Sequence, residues 1–313
     1  MILHDLPPVF VRAVAACLGL LWGSFLNVVI YRAPREMSVV RPGSHCPACG
    51  EPVKPWDNVP VLSYLFLGGK ARCCGAKLSA RYPLVELLGG YIGLGIVNLV
   101  LERLPPDTSL ARASAIFVAH FAVSLALVAA AFIDFEHMYL PDTITYGGAL
   151  LGLGTASLRD MGFVESGFGA AVGFALVWVP FILLYGKLAG RPGMGLGDAK
   201  LVALAGAWFG WRGALFVLFA GAIQGVLAAG AVYLVRGKIE EPEAVRKDRE
   251  ELERLAAEGD EEAKQLLEED PLLADRADEG LGKMPFGPFL IMAFMELLLF
   301  GKEIRAVLGA YFL

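Results

Sequence analysis

The stretch Gly193-Met194-Gly195-Leu196-Gly197-Asp198-Ala199-Lys200 lies between two long apolar segments and places three glycines in front of an aspartate. An ionised side chain at membrane depth is costly, so an acid in this position indicates a function. A second acidic stretch, residues 134–142, follows another apolar segment. The two stretches predict a pair of carboxylates at the boundary of a membrane domain.

The composition is that of a membrane protein. Hydrophobic residues make up 56% of the 313 residues, the mean hydropathy is +0.58, and apolar runs approaching twenty residues recur. Runs of this length can cross a bilayer as helices. We expect an all-α polytopic protein with about eight transmembrane helices and a small cytoplasmic Cys-rich domain after the first one. The apolar segments are residues 8–31, 83–101, 113–133, 143–157, 167–189, 199–210, 212–235 and 284–300.

The distribution of charge gives a domain organisation and an orientation. The loops 32–82, 186–200 and 236–283 hold 20 of the 27 Lys and Arg residues, so the positive-inside rule places them in the cytoplasm and the N-terminus outside. The net charge of −5 argues against nucleic acid as a partner. We expect a first transmembrane helix (1–31), a Cys-rich domain (32–82), a catalytic bundle (83–235), a charged helical insert (236–283) and a last transmembrane helix with the C-terminus (284–313).

Four of the five cysteines fall in the polar region 32–82. Cys46 and Cys49 have the spacing that lets two thiolates face one tetrahedral zinc ion, and Cys73 with Cys74 can complete the ligand set. Two cysteines adjacent in sequence reach one metal less easily, so reduced structural thiols and a vicinal disulfide remain alternative interpretations of these cysteines. His45 is the alternate ligand in the sequence, and Cys17, in the first apolar segment, is expected to pack as an apolar side chain.

Two carboxylates in contact cannot both be ionised and therefore share a proton. Asp134 follows an apolar helix directly, where the helix dipole disfavours an anion, and Asp198 follows the glycines. One can act as general base on a water while the other, protonated, polarises a peptide carbonyl. Asp142 precedes Thr143 and reads either as a helix N-cap or as a further acid.

The glycines at 193, 195 and 197 are expected to adopt dihedral angles closed to other residues and to give an extended peptide room beside Asp198. A phosphate loop is excluded, because no strand precedes the glycines and the acid would repel phosphate. Two other classes remain open: a proton-coupled transporter and a scaffold that binds a partner through its cysteine domain. Asn27, in the first apolar segment, is expected to bond a neighbouring helix.

Several motifs in order resemble one family, the bacterial type IV prepilin peptidases, which are leader peptidase/N-methyltransferases of the GxGD class of intramembrane aspartyl proteases. The resemblance spans nearly the whole chain. It rests on residues 23–32, 46–86, 134–142 and 195–200, and on Pro285-Phe286-Gly287-Pro288.

The resemblance implies that Asp134 and Asp198 are the catalytic pair. It implies substrate-binding or supporting positions at Asp142, Gly195, Gly197 and Lys200. The implied substrates are prepilins and type II secretion pseudopilins, cut after a glycine at the cytoplasmic face of the bacterial inner membrane. Pilus or type II secretion assembly proteins are the implied further partners.

The resemblance also implies N-methylation of the new N-terminus with S-adenosylmethionine as donor. It ties this activity to the region of Gly23, Asn27, Arg32 and Glu36. The chain departs from the family in two places: Ala71 stands where a cysteine is expected and Cys73 is displaced, and the insert 236–283 is long and charged. The insert is either an inert appendage or a docking element.

Overall fold

The structure is a computed structural model that describes residues 2–239, 241–269 and 284–309. Regular structure in these ranges is helical, beside three isolated β-bridges, which confirms the predicted all-α class. The α-helices of these ranges are α1 (Pro8–Arg32), α2 (Leu62–Phe66), α3 (Arg81–Leu99), α4 (Leu110–His137), α5 (Asp142–Gly154), α6 (Phe163–Val177), α7 (Tyr185–Ala189), α8 (Leu196–Arg236), α9 (Glu243–Ala257), α10 (Glu261–Glu269) and α11 (Gly287–Leu308).

Five helical stretches of the described chain are long and apolar enough to cross a membrane. They begin at the start of α1, α3, α4, α6 and α8, and they run over Pro8–Arg35, Arg81–Arg103, Leu110–His137, Phe163–Ala189 and Leu196–Arg236. The predicted polytopic membrane protein is confirmed. Each of the eight predicted apolar segments coincides with one of these stretches, with part of one, or with the shorter helices α5 and α11.

The longest helix, α8, has 41 residues and an interruption at Gly210 (φ 74°, ψ 179°). At ~1.5 Å per residue, an unbroken helix of this length is about twice as long as a bilayer core is thick. Glycine tolerates this positive φ because it has no Cβ. The break lies where the sequence separates the segments 199–210 and 212–235.

The predicted segment 167–189 begins earlier, at Phe163, and is not uniformly α-helical. A π-helical turn, Trp178–Leu184, joins α6 to α7 and contains Pro180. Proline supplies no amide donor to the helical ladder, which favours such a local change in hydrogen bonding. The carbonyl of Phe181, in this turn, accepts a hydrogen bond from the Gly193 amide at 2.8 Å.

The chain divides into two compact units. The first comprises Met1–Ala129, Thr155–Met161 and Met295–Val307, and the second takes Ala130–Gly154 and Gly162–Phe294. In the first unit α1 packs on α3 along glycines, because a Cβ on Gly23 would come within 2.7 Å of the Glu86 Cα. Small residues let membrane helices approach closely.

In the second unit α8 is the central helix, and α5 and α6 pack on it. The buried Trp208 donates from Nε1 to the Gly148 carbonyl of α5 at 2.9 Å. Ser166 of α6 donates from its hydroxyl to the Ala207 carbonyl at 2.6 Å. These buried hydrogen bonds hold α5 and α6 against α8. They thereby position the polar residues at the start of α5 and of α8.

The described part of the charged insert forms two helices, α9 and α10. Ion pairs at helical spacing join Glu243 to Lys247 and Arg246 to Glu250. Residues 270–283 of the predicted insert and residues 310–313 of the predicted last region lie outside the described residues. α11 begins at Gly287 and is irregular at Phe300, the predicted end of the last apolar segment.

Candidate active site

Asp134 lies in the last turn of α4 and is 6% exposed. The sequence predicts a connector from residue 134, but the helix continues to His137. The chain then turns at Met138, which has a φ of 55°, and its amide donates to the Asp134 carbonyl at 2.8 Å. Asp134 therefore occupies the C-terminal end of an apolar helix, as its sequence position suggests.

Asp198 lies in the first turn of α8, three residues after Gly195, which is the N-cap in an extended conformation (φ −71°, ψ 148°). The helix dipole favours an anion in a first turn. A Cβ on Gly195 would lie 3.4 Å from Oδ2 of Asp198. The cap residue therefore lies directly against the carboxylate.

The second unit brings the two carboxyl groups close enough to interact electrostatically. Oδ2 of Asp134 is buried and receives no hydrogen bond from the described residues. It lies against the backbone of Gly287, where an added Cβ would come within 2.6 Å of it. Leu140 lies beside both segments, since its side chain is 3.1 Å from the Cβ positions of Gly197 and of Gly287.

We call the group of Asp134, Leu140, Gly197, Asp198 and Gly287 the aspartate centre. Gly287, like Leu140, is a member to which the sequence analysis assigns no function. The signal was present in the motif Pro285-Phe286-Gly287-Pro288, but nothing in the sequence says that its glycine meets Asp134. Three segments distant in sequence thus enclose the acids, with close contacts at Gly197 and Gly287.

Of the two roles expected for the glycines, the unusual dihedral angles are wrong. None of Gly193, Gly195 and Gly197 has a positive φ, and the residue of this loop that does is Gly190 (φ 74°). The glycines instead permit close approach, since a Cβ on Gly193 would lie 3.0 Å from the Tyr185 ring and one on Gly197 would lie 3.1 Å from Leu140. Close packing against neighbouring side chains therefore explains the glycines of the Gly193-to-Gly197 stretch.

Asp142 is the first residue of α5. The carbonyl of Pro141 accepts the first hydrogen bonds of the helix, so the N-cap lies one residue before the predicted position. Its carboxylate accepts a hydrogen bond from Nζ of Lys200 at 2.6 Å. The Lys200 ammonium also lies 5.0 Å from the centre of the Tyr146 ring. Asp142 and Lys200 thus link the first turns of α5 and α8.

In the first unit the four cysteines form one cluster, which we call the cysteine centre. Their sulfur atoms all lie within 4.8 Å of one another, with 3.7 Å between Cys46 and Cys74 and 3.3 Å between Cys49 and Cys73. A tetrahedral zinc ion with Zn–S bonds of ~2.3 Å requires sulfur atoms about 3.8 Å apart. The donor set fits zinc, and the adjacent cysteines do converge.

Two hairpins with the same backbone pattern present these cysteines. In residues 45–52 the Cys46 amide donates to Glu51, and in residues 70–77 the Ala71 amide donates to Ala76, both at 2.8 Å. Gly50 and Gly75 close the turns with φ of 75° and 72°. Ala71 therefore stands where Cys46 stands in the first hairpin, and Cys73 supplies the missing thiol from two residues further on.

The thiols of the cysteine centre have unlike electrostatic surroundings. Hydrogen bonds from the backbone amides of Ala48 and Cys49 lower the pKa of Cys46 to about 7. The neighbouring Cys49 thiol raises the pKa of Cys73 to about 12. Four thiolates together therefore need a cation, which a divalent metal supplies. His45 is outside the group of converging ligand atoms, and its Nδ1 is 3.1 Å from the Gly43 carbonyl.

Cys17 is exposed on α1, so the expectation that it packs inside is wrong. His120 is buried with its Nδ1 2.8 Å from the Ile116 carbonyl, which agrees with a structural histidine.

A cavity of about 760 Å³ lies in the first unit between α1, α3 and the cysteine centre. Asn27 and Arg32 line it, whereas Gly23 is packed against α3 and Glu36 is exposed. Asn27 donates to the Tyr82 carbonyl of α3 at 3.1 Å, which confirms the expected bond to a neighbouring helix. Glu86 also lines the cavity, and the sequence analysis assigns it no separate function.

Comparison with known proteins gives the family. A profile of the bacterial peptidase A24 N-terminal domain matches residues 17–111, and one of the type IV leader peptidase family matches residues 121–230. The chain is 35% identical to a prepilin leader peptidase/N-methyltransferase of Neisseria gonorrhoeae, over 73% of this chain and 85% of that protein. The chain belongs to the type IV leader peptidase family.

Other members of the type IV leader peptidase family match over similar or greater lengths. A prepilin leader peptidase/N-methyltransferase of Pseudomonas putida is 31% identical over 96% of this chain and 94% of that protein. One of Aeromonas hydrophila is 34% identical over 74% of this chain and 84% of that protein. No solved structure matches the chain. The two profile regions contain the cysteine centre and both aspartates, respectively, while Gly287 lies beyond them.

Proposed function

We propose that this chain is an intramembrane aspartyl endopeptidase with Asp134 and Asp198 as its catalytic pair. The observation that carries the proposal is the convergence of two carboxyl groups from the ends of two different apolar helices. Acids at membrane depth are costly and are retained for function. The glycines that surround the acids carry no side chains, so the two carboxyl groups are the reactive groups of the aspartate centre.

In the proposed reaction the pair holds one proton. The ionised carboxylate removes a proton from a water molecule, whose oxygen bonds to the peptide carbonyl carbon, while the protonated partner donates a hydrogen bond to the carbonyl oxygen. The carbon–nitrogen bond then breaks and the departing amine takes a proton from the pair. The reaction returns the centre to a singly protonated state.

The proposed substrates are type IV prepilins and pseudopilins, cut after the glycine of the leader. Support comes from the names of the relatives, which are prepilin leader peptidase/N-methyltransferases. We place the enzyme in the bacterial inner membrane with its N-terminus outside and both centres at the cytoplasmic face, because three of its loops hold 20 of the 27 cations. Asp142, Gly195, Gly197 and Lys200 support the pair.

We further propose the five-region organisation given above, with 32–82 as a cytoplasmic domain stabilised by zinc on Cys46, Cys49, Cys73 and Cys74. A region of about fifty residues buries little core, so a metal would contribute much of its stability. The second proposed activity is methylation of the new N-terminus, in which S-adenosylmethionine supplies the methyl group. Of the implied residues, Asn27 and Arg32 are the ones that line the cavity of the first unit.

Co-expression with a candidate prepilin, followed by the intact mass of the product, tests both activities in one spectrum. We expect loss of the leader and the added mass of one methyl group. Asp134→Asn and Asp198→Asn should each lower the rate of cleavage by about 10²- to 10⁴-fold, the usual contribution of general acid–base catalysis.

The matched control is Asp107→Asn, which removes the charge of an exposed carboxylate in the first unit. It should cleave at the wild-type rate. Cleavage that persists in either variant of the pair would reject the proposed catalytic residues. A chain that cuts no prepilin but takes up solutes into liposomes with protons would favour a transporter instead.

A further inference from the structure

The cavity of the first unit contains a buried carboxylate that no cation of the described residues neutralises. Glu86 is 8% exposed and lines the cavity. Its Oε2 accepts the Val61 amide at 2.7 Å, and the neutral Ser24 side chain lies near the carboxylate. No ion pair joins Glu86 to Lys or Arg in the described ranges. The carboxylate therefore has a neutral donor and, among these residues, no counter-charge.

The same cavity contains a buried acceptor, Oδ1 of Asn27, that receives no hydrogen bond from the described residues. Asn27 is 4% exposed and lines the same cavity. Its amide nitrogen is used, since it donates to the Tyr82 carbonyl, but its Oδ1 is buried and receives no hydrogen bond. A buried acceptor without a donor destabilises the folded protein, and a ligand that brings N–H groups would recover that energy.

The cations of the cavity wall are already engaged. The Arg32 guanidinium donates to the Ser38 and Gly43 carbonyls at 3.0 and 3.2 Å. Arg72 makes a forked pair with Asp57, from Nε and Nη2, at 2.8 Å. The third basic side chain of the wall, Lys54, has its ammonium 5.7 Å from the centre of the Trp56 ring and interacts electrostatically with Asp57. None of the three is paired with Glu86.

The cavity also has the size and the walls of a small-molecule site. Its volume of about 760 Å³ lies in the range of ~300–1,000 Å³ that is common for ligand pockets. Apolar and aromatic side chains such as Phe25, Tyr31 and Tyr64 share the wall with polar and charged side chains. This pattern favours a ligand that is partly apolar and carries a positive, N–H-bearing group.

We propose that this cavity is the methyl-transfer site and that Glu86, assisted by Asn27, binds the positively charged amino group of a ligand there. This inference rests on the proposed methyltransferase activity. Two groups have the required chemistry: the amino group of S-adenosylmethionine and the N-terminal amine of the cleaved pilin. In the transfer itself the methyl carbon leaves the sulfonium sulfur, which keeps the bonding electrons, and bonds to the amine nitrogen, which loses one proton.

The test is Glu86→Gln, which keeps the shape of the side chain and an oxygen for the Val61 amide but removes the charge. The purified protein is titrated with S-adenosylmethionine, and methylation is then measured as a function of the concentration of cleaved pilin. Loss of a charge-assisted hydrogen bond should weaken the affected ligand by ~10- to 100-fold. If the dissociation constant for S-adenosylmethionine rises, Glu86 binds the donor; if the KM for cleaved pilin rises alone, it binds the acceptor.

A neutral probe tests whether the charge matters. Methylthioadenosine carries the adenosine and the sulfur of the donor but lacks its amino-acid portion, including the α-ammonium group. Wild type and Glu86→Gln should therefore bind it equally if Glu86 holds the donor's ammonium. Prepilin cleavage and zinc content show that the variant is folded, and Glu86→Asp should restore part of the affinity. Asp107→Asn, outside the cavity, should behave as wild type.

Unchanged affinity for both ligands in Glu86→Gln would overturn the inference. The result differs from failure of the proposed function, in which the wild-type enzyme itself would add no methyl group to cleaved pilin.

Discussion

The aspartate centre and the cysteine centre are both built around a few charged or ionisable side chains, but they are assembled in opposite ways. The aspartate centre joins three segments distant in sequence, and they meet at Gly197 and Gly287, where an added Cβ would lie 3.1 and 2.6 Å from the nearest neighbouring atom. The cysteine centre joins two hairpins of eight residues, each held by its own backbone hydrogen bonds. A local hairpin can supply a metal-ligating side chain from a different position, as Cys73 does in place of Ala71. A site closed by contacts with glycine backbone tolerates an added side-chain atom less well.

The largest effect predicted from this difference is at Gly287. In Gly287→Ala the new methyl group would come within 2.6 Å of Oδ2 of Asp134, so the carboxylate or α11 must shift. Misplacement of a catalytic group by ~1 Å can cost about 10²-fold in rate. We therefore expect cleavage of prepilin to fall by about that factor, measured with a time course on a single prepilin, while the zinc content is unchanged.

The matched control is Gly147→Ala, in α5 of the same unit, because nothing lies within 4 Å of its added Cβ. This variant should cleave normally and be slightly more stable, since alanine favours a helix over glycine by ~1 kcal/mol. Wild-type cleavage by Gly287→Ala would show that the contact with Asp134 is not needed in the working enzyme.

A smaller effect is expected in the cysteine centre, and it can be reversed. Cys73→Ala removes one of four converging thiols and should speed the loss of zinc to a chelator by more than ~10-fold. The double variant Ala71→Cys with Cys73→Ala should recover most of that loss, because the backbone at Ala71 repeats the hydrogen bonds of Cys46. Metal per protein after chelation, read by mass spectrometry, measures both.

Cys17→Ala is the control, because Cys17 lies on α1 outside the cluster. Retention of zinc by Cys73→Ala at the wild-type level would exclude Cys73 from the ligand set. Failure of the double variant to recover would show that the second hairpin presents its ligands differently from the first.

The sequence predicts the helices well, because an apolar run in a membrane has few alternatives to a helix. The division near Gly210 and the solvated helices of the insert were visible in the pattern of glycine and charge. The extent of α4 beyond Asp134 was not, because the helix ends at His137 and the chain turns at Met138, a residue with no intrinsic preference for a positive φ.

The contacts of the centres were harder to predict than their residues. Asp134 and Asp198 are conspicuous, because both are acids next to apolar segments. The approach of Gly287 to Asp134 depends on where α11 packs, and spacing along the chain carries no information on that. The convergence of Cys73 depends on the fold of its hairpin, which the pattern Ala71-Arg72-Cys73-Cys74 does not display.

The smallest effect predicted concerns Asp142, the acid that the sequence places beside the catalytic pair. Its carboxylate is 59% exposed and is paired with Lys200, so it lacks the burial of Asp134. An exposed ion pair contributes ~0–1 kcal/mol, and we expect Asp142→Asn and Lys200→Met to change the cleavage rate by less than about fivefold. A double-mutant cycle on the rate should give a coupling of the same small size. Loss of cleavage in Asp142→Asn as large as that in Asp134→Asn would instead make Asp142 part of the chemistry, and the comparison of exposed and buried acids would no longer separate support from catalysis.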